Sequence, residues 1–204
     1  MSNATELYAL NLTEATALVR YSGETTVLVQ GHMGTGKSTM LKVLAQDLPT
    51  HTPCYFDCTT KDLGDITIPN VVNLTDSLTD SFVRYVTNEE LGVHLNKPII
   101  LMIDEYGKAN PAVKNALLRL MLERKIGSYT LHKDSIVFAT TNLGSEGVGD
   151  LLPAHARNRL TIITTRKPTN VEWIEDFAIN HGIDHTMIAW VADTPQLFAS
   201  FTDI

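Results

Sequence analysis

The chain has 204 residues, 44% hydrophobic and 19% charged, with a formal net charge of −7 and two cysteines. That length suits one domain of about 150 residues with a real core, plus a smaller piece, and the composition argues against wholesale disorder, collagen-like structure and coiled coil. No apolar run reaches the roughly 20 residues that span a bilayer, the first basic residue is Arg20 and gives no leader-like charge pattern, two cysteines suit a reducing cytoplasm, and the acidity argues against a general nucleic-acid binder.

In chain order, strand-like apolar runs alternate with segments of helical period. Val27-Leu28-Val29 leads into a glycine-rich turn, after which Met40, Leu41, Leu44, Ala45 and Leu48 make one helical face. Cys54 to Cys58 reads as a second strand. Leu78, Phe82, Tyr85 and Val86 are spaced as a second helix. Ile99 to Ile103 is continuously apolar, as in a strand buried on both faces of a parallel sheet. Asn110 and Pro111 suit an N-cap and first helical position, the stripe Val113, Ala116, Leu117, Leu120, Met121 follows, and Gly127 is the expected stop. Ile136 to Ala139 and Leu160 to Ile163 supply the fourth and fifth strands. Thr169 and Glu172 form a capping box opening a helix through Ile179, and another helix is expected from Asp184 to Ala192. This alternation predicts an α/β fold, a three-layer αβα sandwich around a mainly parallel five-stranded sheet.

Four motifs carry chemistry. Gly31-His32-Met33-Gly34-Thr35-Gly36-Lys37-Ser38 matches the phosphate-loop pattern at every fixed position. Its glycines permit positive φ, so that successive amides face phosphate oxygens, and the following helix directs its positive end there. The expected nucleotide-binding set is Gly31, His32, Met33, Gly34, Thr35, Gly36, Lys37, Ser38 and Thr39, joined by Asp104. Lys37 reaches the β- and γ-phosphates of ATP; Ser38 and Asp104 hold Mg²⁺, partly through water. Glu105, beside Asp104 at the tip of the buried strand, polarises the attacking water. Asn142, ending the strand Ser135 to Asn142, hydrogen-bonds the γ-phosphate and that water. Arg157 and Arg159 precede the fifth strand, where a guanidinium on the domain surface suits a finger inserted into a neighbouring subunit's site. A basic stretch of Arg157, Arg159, Arg166 and Lys167 fits an interface between subunits better than a DNA contact.

With these pieces in order, the chain resembles AAA+ ATPases, and within them the MoxR-type branch. The residues carrying the match are the run Ile103 to Arg124, then Ala139-Thr140-Thr141-Asn142, then Leu152-Pro153 through Arg159-Leu160, so that the similarity covers about residues 12 to 166. The segment Thr60 to Asp65 adds a likeness to AAA+ proteins of phages and prophages. The resemblance implies Lys37 and Ser38 as Walker A residues, Asp104 and Glu105 as Walker B, Asn142 as sensor 1 and Arg159 as arginine finger, with Arg157 the weaker candidate. It implies a ring, usually a hexamer, that remodels a protein client or moves a polymer.

The family normally continues into a helical lid with a sensor 2 arginine, but residues 168–204 contain no Lys or Arg and six acidic residues. The expected organisation is therefore a nucleotide-binding core, residues 1–167, and an acidic helical segment, residues 168–204, with the lid absent or incomplete. Two alternatives remain open: a DNA-side AAA+ factor such as a helicase loader or initiator, and a nucleotide-gated binding module with incidental hydrolysis. Cys54 and Cys58 share a strand face with Phe56 and are read as packing rather than zinc ligands. His181 and His185 are read as loop residues, Ile66 to Val72 as a core-facing loop with an exposed substrate grip as the alternative, and Trp173, Phe177 and Trp190 as core.

Overall fold

The computed structural model describes residues 8–73, 81–143 and 158–198. Its centre is a five-stranded sheet of β1 (Val27–Gly31), β2 (Thr52–Asp57), β5 (Ile99–Asp104), β8 (Ile136–Asn142) and β9 (Thr161–Thr165), in the order β2-β5-β8-β1-β9. Every neighbouring pair is parallel. The α/β class and the parallel five-stranded sheet are as the alternation predicted.

Side-chain alternation along the strands divides the core into two layers. On one face Leu28, Phe56, Leu101 and Ile103 pack with Leu117, Leu120 and Met121 of α3 (Pro111–Glu123). On the other, Val27, Val29, Ile100, Met102 and Phe138 pack with Ala15 and Val19 of α1 (Leu12–Arg20) and with Met40 and Leu44 of α2 (Met40–Asp47). All six residues of β5 are buried, which explains its unbroken hydrophobicity. Burial of each large side chain contributes roughly 1.5–3 kcal/mol.

Local signals place the helices. Asn11 and Glu14 cap α1 reciprocally. The Asn110 side chain accepts from the Val113 amide at 2.9 Å, with Pro111 in the first turn. The expected stop at Gly127 is corrected: α3 ends at Glu123, with Arg124 in the left-handed region. Gly127 instead turns the short hairpin of β6 (Lys125–Ile126) and β7 (Tyr129–Thr130), where a Cβ would meet the Tyr85 carbonyl oxygen at 2.9 Å.

The second helix is also corrected. Phe82, Tyr85 and Val86 lie on β4 (Ser81–Thr87), antiparallel to β3 (Thr67–Asn73); Leu78 falls outside the described residues. The helical spacing is accidental: the strand is exposed over most of its length and carries no buried alternate set, while the β-branched and aromatic content of residues 81–87 favours the strand. The core-facing reading of Ile66 to Val72 holds only for Ile66, which is buried; Ile68 and Val71 are 59% and 63% exposed.

After β9, the Thr169–Glu172 capping box opens α4 (Asn170–Glu172), which widens into a π-helical stretch over Trp173–Ala178. Then α5 runs over His185–Asp193, capped by Asp184. His181 lies in the intervening turn, as expected, whereas His185 begins α5. Trp190 is 52% exposed and Trp173 and Phe177 are half-buried, so these aromatics are not the core residues expected.

Candidate functional site

In a parallel sheet the carboxyl ends of the strands form one edge, and ligands gather there. Gly31, Asp104, Asn142 and Thr165 all stand at that edge; Gly31 is in register with Asn142 on one side and Thr165 on the other. A Cβ at Gly31 would lie 2.2 Å from Thr165 Oγ1 and 2.8 Å from its carbonyl oxygen, so only glycine fits. Gly34 and Gly36 take φ of +77° and +85°. The buried Thr35 donates to the His32 carbonyl at 3.0 Å and closes the loop on itself. Lys37–Thr39 forms a 3-10 turn that leads into α2, with Ser38 and Met33 exposed.

Lys37 is only 8% exposed. Its Nζ donates to the carbonyls of Gly31 and His32, both at 2.8 Å, and to Asn142 Oδ1 at 3.2 Å. The lysine thus folds back over its own loop. Asn142 passes the connection on: its Nδ2 donates to Glu105 Oε1 at 3.2 Å and Oε2 at 3.3 Å. Lys108 holds Glu105 from the other side, Nζ to Oε2 at 3.2 Å. Glu105 itself sits at φ +53°, in the left-handed region that carries the chain from strand to turn.

Asp104 is buried beside it. Its Oδ1 accepts from Thr140 Oγ1 and from the Glu105 amide at 3.1 Å, and its Oδ2 accepts from the Tyr55 hydroxyl at 2.8 Å. Partial burial, reinforced by the hydrogen bond to Asp104, pushes the Tyr55 phenol up, so it stays protonated and donates. Asp104 and Ser38 are hard oxygen donors of the kind Mg²⁺ takes. Among the described residues no three His, Cys, Asp or Glu side chains form a metal cluster. The donor set fits an ion that draws most of its ligands from phosphate and water.

The structure therefore brings Lys37, Asp104, Glu105 and Asn142 together, as the motifs predicted. Arg159 is not among them. It is exposed in the turn before β9, and Thr161 pairs with Val27, at the opposite end of β1 from Gly31. Arg157 lies outside the described residues. The basic stretch is partly corrected: Arg166 makes a bidentate pair with Glu172 of its own chain, at 2.7 and 2.5 Å, and Lys167 lines a cavity beside the loop. Tyr55, Thr140 and Lys108 were missed from the sequence. Thr140 and Lys108 stand within motif runs, but only the β2–β5 register shows that Tyr55 reaches Asp104.

That cavity has a volume of about 600 Å³. Leu12 and Thr16 of α1, the backbone of Gly34 to Gly36, Thr39 and Val43 form one side; Trp173, Phe177, His181 and Phe198 form the other. The aromatic rings support one another, with centroids 5.9 Å apart for Trp173–Phe177, 6.0 Å for Trp173–Phe198 and 4.2 Å for Phe177–His181. A chamber of this size, lined by aromatic side chains and by Gly34 to Gly36 of the loop, suits a planar base attached to a phosphate chain. Cys54 and Cys58 are free, buried and packed in the core; burial pushes the Cys58 thiol up to about 12. Among the described residues no helix is long and apolar enough to cross a membrane.

Comparison with known proteins agrees with this geometry. The family model described as "ATPase family associated with various cellular activities (AAA)" matches residues 27–167. A solved structure of a protein from Cytophaga hutchinsonii, assigned as an ATPase, superposes with a TM-score of 0.57 at 16% identity, over 89% of this chain and 55% of that one. The chain thus spans about half the length of that structure. No curated protein matches the sequence.

Proposed function

Because the chain belongs to the AAA family of ATPases, we propose that it binds ATP with Mg²⁺ and hydrolyses it as one subunit of a ring, coupling turnover to the remodelling of a protein client or the movement of a polymer. The observation that carries this reading is the single hydrogen-bonded group formed by Lys37, Asn142 and Glu105 at the sheet edge, with Asp104 beside it. The run Ile103 to Arg124 supports the MoxR-like branch within the family, and the Thr60 to Asp65 segment a phage or prophage type.

The β- and γ-phosphates lie against the amides of Gly34, Gly36, Lys37 and Ser38, and the base enters the cavity walled by Trp173 and Phe177. Lys37 exchanges its carbonyl partners for phosphate oxygens, which it neutralises at short range. Ser38 and Asp104 would hold Mg²⁺, which would supply positive charge beside the phosphates. Glu105 leaves Lys108 and Asn142 to accept a proton from the attacking water, while Asn142 donates to the γ-phosphate. Arg159, exposed on the far end of β9, meets the γ-phosphate of the adjoining subunit. Such a head-to-tail contact is satisfied all round when it closes into a ring, and a hexamer is the expected form. The β3–β4 hairpin, with Ile68, Val71 and Val83 exposed, is the expected contact for an unfolded client. A net charge of −7 speaks against DNA as the polymer.

The test is a pair of variants. Glu105→Gln is expected to bind ATP normally while turnover falls by about 10²–10⁴-fold, and Lys37→Ala to lose nucleotide affinity. Normal hydrolysis by Glu105→Gln would overturn the mechanism.

A further inference from the structure

We propose that Tyr55 is a positioning residue for the cation-side carboxylate of the site. The inference rests on the reading of Asp104 as the group that faces Mg²⁺. A carboxylate offers about four acceptor positions. Two on Oδ1 are taken by Thr140 Oγ1 and the Glu105 amide, and one on Oδ2 by the Tyr55 hydroxyl at 2.8 Å. A single acceptor position on Oδ2 is left for a cation or its water. Three donors from three places in the fold, β8, the β5 tip and β2, hold the carboxylate in one rotamer.

Two of those donors are fixed by the fold in any case, the third is not. Thr140 is 1% exposed, and the Glu105 amide is backbone. Tyr55 is 46% exposed, on the outer strand of the sheet, and pairs in register with Met102 rather than with Asp104. It reaches Asp104 from the face opposite the buried Cys54 and Phe56. A tyrosine that only filled space there would have no use for its hydroxyl. Removal of that hydroxyl leaves Oδ2 without its donor and frees the carboxylate to turn about χ2, which weakens the hold on the cation shell and leaves the phosphate loop untouched.

The experiment compares the wild-type full chain with Tyr55→Phe and Asp104→Asn, using a fluorescent ATP analogue in EDTA and across a Mg²⁺ titration, with Mn²⁺ binding read directly by electron paramagnetic resonance. Tyr55→Phe is expected to keep its EDTA nucleotide affinity and its thermal midpoint. It should need about ten-fold more Mg²⁺ for half-saturation and bind Mn²⁺ weaker by a similar factor, the usual scale for losing a partner of a metal-facing group. A Mg²⁺ curve that superposes on wild type, while Asp104→Asn shifts it, overturns the role of Tyr55 alone. A curve that neither variant shifts overturns the reading of Asp104 itself. Loss of affinity in EDTA by Tyr55→Phe would mean a general structural role and also overturns the proposal.

Discussion

Asn142 donates from one amide nitrogen to both carboxylate oxygens of Glu105, at 3.2 and 3.3 Å, while its carbonyl oxygen accepts from Lys37. One side chain therefore couples Lys37 of the loop to Glu105, the carboxylate proposed to activate water. Its place is set by register: Asn142 stands directly opposite Gly31, where the phosphate loop begins.

Asn142→Ala removes both connections at once. Turnover is expected to fall by about 10²-fold or more, with nucleotide affinity close to wild type because the loop amides are untouched. Steady-state hydrolysis alongside equilibrium binding of a fluorescent nucleotide checks this. A parallel loss of both would point to collapse of the loop instead.

Gly31→Ala tests the close approach of β1 and β9. The added methyl would press on the Thr165 backbone as well as its side chain, so relief requires the outer strand β9 to move away from β1. Overpacking of this kind costs about 1–3 kcal/mol, read as a lower denaturation midpoint. Gly64→Ala, where a Cβ meets nothing within 4 Å, is the matched control and should leave the midpoint near wild type.

The Arg166–Glu172 pair fastens the segment after β9 to the core. Its hydrogen bonds from Arg166, aided by the Thr169 amide, hold the Glu172 carboxyl at about 2 against an ordinary 4.5. A carboxyl whose folded value is depressed stabilises the fold fully above its unfolded value and loses that contribution as pH falls. The pair's contribution is thus complete above pH 4.5 and fades between about 4.5 and 2. Arg166→Gln should flatten the acid dependence in that window and speed amide exchange in residues 170–198, measured by mass spectrometry at pH 3 and pH 7.

Arg159→Ala should abolish turnover by itself, a loss of about 10³–10⁵-fold, without changing nucleotide affinity. In mixed rings with Lys37→Ala subunits, activity should return at those junctions that pair an intact loop with an intact Arg159. Absence of complementation would point to an enzyme that works without neighbours.

Much of this was legible in the linear chain because the signals are local. A phosphate loop needs its glycines, lysine and hydroxyl within eight consecutive residues, and β5 announces its burial by an unbroken apolar run ending in Asp104 and Glu105. Caps at Asn110 and Thr169 are equally local and stand where expected. Residues 81–87 were not legible in this way. That strand is exposed over most of its length, so no buried alternate residues mark a period of two.

By itself the sequence singled out the residues proposed to carry the chemistry: Lys37, Ser38, Asp104, Glu105 and Asn142, each marked by a short motif on a strand end or loop. Only the tertiary structure decided which atoms meet. That Lys37 meets Asn142, that Asn142 meets Glu105, and that Tyr55 reaches Asp104 all depend on how segments far apart in the chain are aligned. Such alignment is settled by the burial of both sheet faces at once, since a strand shifted by one residue would turn its apolar side chains to the wrong layer.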